Sequence, residues 1–259
     1  MAGSRRRLDA SALLDWAHTA VGDLIAHADE INRLNVFPVA DADTGTNMLF
    51  TMRAAWAQAD ASTAGDVARV AADLAAGALH GARGNSGVIL SQILRGLADV
   101  VAEAAAERAG ELSHVDGAVL AASLRHAVGL VVASMGESVP GTIVSVLQAS
   151  AEAAEDAVAG DADLGEVVTA AADAAVIALD KTTEQLAVLT DAGVVDAGGR
   201  GLLVLLDSLS KTVSGHAPAR QEYVPAPPDL ENTVASPGPS FEVMYLLSGC
   251  RPDGVEQLR

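Results

Sequence analysis

One cysteine, Cys250, stands in the 259 residues. That excludes a disulfide framework within the chain and a cysteine-based zinc site. Aromatic residues make up only 3%, although half of the chain is hydrophobic. The apolar material is mostly Ala, Val and Leu, which suits close-packed helices better than a β-sandwich. Positive charge is scarce as well: 16 Lys and Arg stand against 34 Asp and Glu, for a formal net charge of −18. No basic patch is large enough to point to a nucleic acid, and the acidity alone reads as the solubility of a helical surface. Apolar runs such as residues 128–135 fall far short of the roughly 20 residues of a membrane span. The basic start at Arg5, Arg6 and Arg7 leads into Leu8, Asp9 and Ala10 rather than into an uninterrupted apolar stretch. No signal peptide is therefore expected, and a cytoplasmic location is.

Several catalytic signatures are missing too. There is no G-x-x-x-x-G-K-[ST] loop, and no strand precedes the glycine-rich stretches as a dinucleotide fold requires. The six histidines form no H-E-x-x-H spacing, and no Ser/His/Asp arrangement is signalled. Trp16 and Trp56 sit at helical positions and read as core.

What is present is helical periodicity. Leu13, Leu14, Ala17, Val21, Leu24 and Ile25 predict a first helix over about 11–32, with Ser11 as its N-cap. Further helices are expected over about 46–57, 64–79, 88–108, 115–135, 140–157, 164–189 and 200–213. Pro140 is placed in the first turn of the sixth. Most are about 25–30 Å long, and their short connections favour antiparallel neighbours. The fold class is thus all-α. A helical domain over 1–215 is expected to lead into a proline-rich extended linker over 216–240. Residues 241–247 read as a β-strand, and 241–259 as the start of a second domain that the chain enters but does not complete.

Three loops between the helices combine glycine with polar side chains. In the first, Asn35-Val36-Phe37-Pro38-Val39-Ala40-Asp41-Ala42-Asp43-Thr44-Gly45-Thr46-Asn47-Met48, two carboxylates stand two residues apart and project to the same side. Their mutual repulsion would be relieved by a divalent cation, and hard oxygen donors suit Mg²⁺. The same spacing also serves a helix-capping turn with no ligand. In the second, Gly81-Ala82-Arg83-Gly84-Asn85-Ser86-Gly87, small residues let a phosphate approach the backbone at a helix start, where free amides point outward. A tight interhelical turn would need the same glycines. In the third, Asp196-Ala197-Gly198-Gly199-Arg200-Gly201, Asp196 could accept from a nucleotide ribose or base, or could cap the last helix. Arg83 and Arg200 are either phosphate contacts or solvated. In an up-and-down arrangement the loops at 33–46, 80–87, 136–141 and 190–199 all lie at one end, so one rim can gather them.

These three motifs, with Val88-Ile89-Leu90-Ser91-Gln92 after the second and Gly193-Val194-Val195 before the third, resemble a known family. It is the nucleotide-binding domain shared by the dihydroxyacetone kinase L subunit and the bacterial fatty acid kinase A subunit, over about residues 10–215. The resemblance implies an eight-helix antiparallel up-and-down barrel that binds ATP through Mg²⁺ at one end. It implies that Asp41 and Asp43 are metal ligands and catalytic, with Asn35 nearest to a third ligand position. Thr44, Gly45, Asn47 and Met48 would line the phosphate and nucleotide site, and Gly84, Asn85, Ser86 and Gly87 would cradle phosphates. Thr142 and Ile143 match the border of the adenine, and Asp196 and Gly198 the last nucleotide loop. The Val-Phe-Pro-Val lead-in, Thr44 where the ketose kinases usually have His, and the Val-Val-Asp-Ala-Gly-Gly loop look like the fatty acid kinase branch. That branch phosphorylates a fatty acid carboxylate presented by a fatty-acid-binding partner protein. A ketose kinase subunit and a nucleotide-binding regulatory module without transfer activity are the alternatives, and a homodimer of a longer parent protein stays open. One departure stands out: the family's usual Pro-Asp-Gly-Asp is Ala40-Asp41-Ala42-Asp43 here.

Overall fold

A computed structural model of the chain describes residues 7–221 and 223, apart from 63, 64, 109, 111, 137, 138 and 217. Among the described residues there are nine helices and a single isolated β-bridge. The helices are α1 (Ala10–Leu34), α2 (Thr44–Asp60), α3 (Val67–Gly81), α4 (Gly84–Glu107), α5 (Gly117–Met135), α6 (Ile143–Ala159), α7 (Leu164–Gln185), α8 (Ala187–Ala192) and α9 (Ala197–Ser214). Each long helix from α1 to α7 packs on the next in sequence, and α9 packs on α7 and α1 to close the ring. This is the expected antiparallel barrel of eight long helices, with the one-turn α8 as an addition.

The barrel core is lined by small and branched residues. Ala17, Ala20, Ala71, Ala127, Ala151 and Ala175 are fully buried and let neighbouring backbones come close. Leu13, Leu24, Leu74, Leu90, Leu147 and Leu179 fill the remaining space. Trp16 lies in this core, and its indole N–H donates to the Leu205 carbonyl at 3.2 Å, joining α1 to α9. At the end opposite the glycine-rich loops, the Val115 amide donates to the Leu8 carbonyl at 2.9 Å. That bridge ties the chain entrance to the α4–α5 connection. The helix α5, 19 residues with a mean hydropathy of 1.6, is long and apolar enough to cross a membrane by length and composition. In this fold it is a stave of the ring, packed between α4 and α6.

Several boundaries differ from expectation. The N-cap of α1 is Asp9, not Ser11: its carboxylate accepts from the Ala12 amide at 2.9 Å. Pro140 lies outside α6, which starts at Ile143 under a Thr142 cap, because Gly141 takes a left-handed turn at φ 80°. The seventh helix ends at Gln185, where Leu186 turns extended, and α8 follows as a separate turn. The helices α2, α4 and α9 begin at Thr44, Gly84 and Ala197, earlier than periodicity suggested. Polar and glycine residues therefore form their first turns, where no apolar stripe announces a helix.

The start of the expected linker is not free. Arg220 pairs with Asp207 on α9 and Asp173 on α7, and the Tyr223 hydroxyl donates to Asp180 on α7 at 3.0 Å. The rest of the linker and the strand expected over 241–247 lie outside the described residues.

Candidate functional site

The N-termini of α2, α4, α6 and α9 all lie at one end of the barrel. Three contacts bring them together. Gly84, at φ 58°, sits so close to Asn47 that a side chain there would overlap the Asn47 amide. Gly201 meets the Met48 sulfur in the same way. The Asp196 carboxylate accepts from the Ile143 amide. The four loops expected to share a rim therefore share one.

The carboxylate loop is held from behind by Asn32 in the last turn of α1 and by Asn35, the C-cap of that helix. The Asn35 side chain donates to the Val39 carbonyl at 3.0 Å and accepts from the Asp43 amide at 3.1 Å. Asn32 accepts from the Thr46 amide at 3.1 Å and donates to the Thr46 hydroxyl at 2.9 Å. These four bonds fix the path of the backbone on both sides of the aspartates. In this structure Asn35 works as a clasp, buried behind the loop. Asn32 was not singled out by sequence; its signal is its place three residues before Asn35 on the last turn of α1. Ala42 takes φ 55°, the left-handed conformation that glycine accepts without strain and alanine does not.

Asp41 and Asp43 come together. The Asp41 carboxyl is held above its usual range by partial loss of solvent, by the charge of Asp43 and by a side-chain hydrogen bond between the two. A cation between the two carboxylates would relieve that repulsion. Among the described residues no group of three or more His, Cys, Asp or Glu side chains gathers around a common point. A lone carboxylate pair is the protein share that Mg²⁺ takes where phosphate oxygens and water complete its shell, so the donor set fits that ion.

Capping distinguishes the four helix starts. Asp or Thr side chains cap α1, α3, α5, α6, α7 and α9. The helices α2 and α4 have no side-chain cap bond at Asp43 or Arg83. Their first intrahelical bonds run from Asn47 to Asp43 at 2.8 Å and from Gly87 to Arg83 at 2.9 Å. The amides of Thr44 and Gly45, and those of Gly84, Asn85 and Ser86, precede these bonds. Two uncapped helix starts beside a carboxylate pair are an arrangement that can take an anion next to a cation. Met48 is fully buried, while Asn85 is exposed and Ser86 half-buried at the mouth.

The other two starts play a different part. Thr142 caps α6, accepting from the Val144 amide at 3.4 Å and donating to the Val139 carbonyl at 2.8 Å. Asp196 caps α9, accepting from the Gly199 amide at 2.7 Å, and its burial pushes its carboxyl up to about 6 against the effect of its amide donors. Its own amide donates to the Thr182 hydroxyl at 3.0 Å. Asp196 thus takes the capping role, joining the starts of α6 and α9. Beside it, Gly198 and Ile143 lie against each other, with 3.2 Å between the Ile143 Cβ and a Cβ built on the glycine. Of the two arginines, Arg83 stacks over the Phe50 ring at 4.6 Å on the rim. Arg200 is neither solvated nor turned to the cradle: it is buried against Glu30 of α1, with bonds of 2.8 and 3.2 Å.

Comparisons with known proteins agree with the fold. The model of the DAK2 domain family matches residues 38–211. Protein YloV of Bacillus subtilis (strain 168) is 33% identical over 227 residues, covering 88% of this chain and 40% of that protein. An uncharacterized protein of Staphylococcus epidermidis is 32% identical, over 81% of this chain and 36% of its own. The chain thus spans about two-fifths of the length of these relatives. Among solved structures, the dihydroxyacetone kinase from C. freundii in complex with AMP-PNP and Mg²⁺ superposes with a TM-score of 0.57 at 16% identity. That match covers 81% of this chain and 35% of the kinase, and it supports the fold.

Proposed function

Because this chain belongs to the DAK2 domain family, we propose that it is an ATP-dependent phosphotransferase domain whose acceptor is a fatty acid carboxylate presented by a fatty-acid-binding partner protein. The carrying observation is the meeting of the Asp41–Asp43 pair with the two uncapped helix starts of α2 and α4. Bound to the two carboxylates, Mg²⁺ would neutralise phosphate charge during an in-line transfer. Asp41 and Asp43 would hold that ion, and the Asn32 and Asn35 clasps hold the loop backbone that carries them. The amides of Thr44 and Gly45, and of Gly84, Asn85 and Ser86, would hold phosphate oxygens. Met48 and Ile143, both buried, would back the base-binding end of the site from the core. A carboxylate acceptor is already ionised at neutral pH, so the domain needs no general base. Its tasks are positioning and charge neutralisation. The C. freundii kinase, crystallised with AMP-PNP and Mg²⁺, lends the same reading to the fold it shares with this chain.

A second reading has its own observation. The chain covers about two-fifths of its curated relatives, so a domain that binds nucleotide and depends on other parts for transfer is consistent with its extent. An acyl-phosphate assay separates the two. The chain is incubated with Mg–ATP and an oleate-loaded fatty-acid-binding protein, and the product is trapped as the hydroxamate. Hydroxamate formation dependent on this chain supports transfer. Nucleotide binding without hydroxamate supports the module.

A further inference from the structure

The segment that leaves α9 returns along the outside of the barrel to Arg200, an arginine buried at the rim. Arg200 lies in the first turn of α9, where its amide donates to the Asp196 carbonyl at 2.9 Å. Its side chain runs away from the cradle and forks onto Glu30 of α1, and the two side chains are only 4% and 12% exposed. Glu30 is shared: the Tyr223 amide donates to the same carboxylate at 3.3 Å. The Tyr223 ring faces the Arg200 guanidinium at 5.4 Å, and its hydroxyl reaches Asp180 of α7. Gln221 donates to the same Asp180 oxygen at 3.3 Å. Arg220 fastens the segment again, to Asp207 at 2.9 Å and Asp173 at 3.1 Å. Arg220, Gln221 and Tyr223 are thus bound to α1, α7 and α9, and Tyr223 is the one of the three that meets the Glu30–Arg200 pair.

We propose that Tyr223 is a positioning residue for the α9 start: by closing over the Glu30–Arg200 pair it fixes residues 196–201 against Met48 and Ile143. The inference rests on the nucleotide reading above. The chain of contacts is continuous. Tyr223 shields Arg200; Arg200 anchors the first turn of α9; Gly201 in that turn touches Met48, and Asp196 and Gly198 touch Ile143. A guanidinium–carboxylate pair shielded from water is strong and geometrically narrow, whereas the same pair in water holds its partners loosely. Opening the clasp therefore loosens α9 at the end where α9 meets the site, and leaves the α4 cradle alone.

The test uses the 259-residue chain, with Mg–AMP-PNP as probe and hydrogen exchange as a second readout. In Tyr223→Ala the affinity for Mg–AMP-PNP is expected to fall about five-fold or more, the low end of measured couplings between sites. Amides 197–202 should exchange faster without nucleotide, while amides 86–92 keep their rates. Tyr223→Phe keeps the ring and the backbone amide and should bind within two-fold of the wild type. Unchanged affinity and unchanged exchange at 197–202 in Tyr223→Ala would overturn the proposal, as would faster exchange spread evenly over the barrel. If the wild type itself fails to bind Mg–AMP-PNP, the nucleotide reading fails, and exchange at 197–202 still decides whether Tyr223 positions the turn.

Discussion

At the scale of residues, Asp196 separates charge from structure. Its carboxyl, pushed up to about 6 by burial, favours the folded state in its neutral form. Its contribution is therefore complete below about pH 4 and is lost as pH rises through 6. Over two pKa units this amounts to roughly 3 kcal/mol. Asp196→Asn is neutral at every pH. Urea unfolding between pH 4 and pH 7 should show the wild type losing stability relative to this variant by that order. Parallel pH profiles would contradict the assignment. The approach of Asp41 to Asp43 was legible in the sequence because their spacing is local. The role of Asp196 was legible only as two alternatives, since capping and ligand contact use the same carboxylate. The jobs of Asn32 and Asn35 were not legible: an amide that clasps a loop eight or fourteen residues away leaves no periodic trace.

At the scale of elements, the rim is built from helix starts in close contact. The eight long helices could be read from apolar spacing, because Ala, Val and Leu stripes mark the buried face. Their first turns could not be, since Thr44, Gly45, Gly84 and Gly198 belong to helices without being apolar. The break at Leu186 was missed because the apolar pattern continues through it into α8. Gly84 shows what such a turn demands. At φ 58°, with Asn47 against it, Gly84→Ala adds left-handed strain of about 1–2 kcal/mol and an overlap worth about as much again. The variant should unfold at lower urea with an unchanged slope, and lose affinity for Mg–AMP-PNP because Asn47 is displaced. Wild-type stability would mean that α2 and α4 approach less closely than described.

At the scale of the whole molecule, the ring closes where α9 meets α1, and Arg200 with Glu30 is the buried charge pair of that seam. Removing one partner leaves the other buried and unpaired. Glu30→Ala should cost about 3–5 kcal/mol in urea unfolding, and adding Arg200→Met should recover much of that loss. No recovery would mean that the glutamate acts alone. The barrel thus presents four helix starts at one end, two of them uncapped, beside a carboxylate pair. That this end holds Mg–nucleotide is tested most directly by the melting temperature with and without Mg–AMP-PNP. At a hundred times the dissociation constant, binding stabilises by about 2.7 kcal/mol, a rise of about 5–10 °C for a domain of this size. The wild type should show that rise, and Asp41→Ala/Asp43→Ala should show little or none while staying folded. An equal rise in both proteins would contradict the carboxylate pair as the metal end of the site.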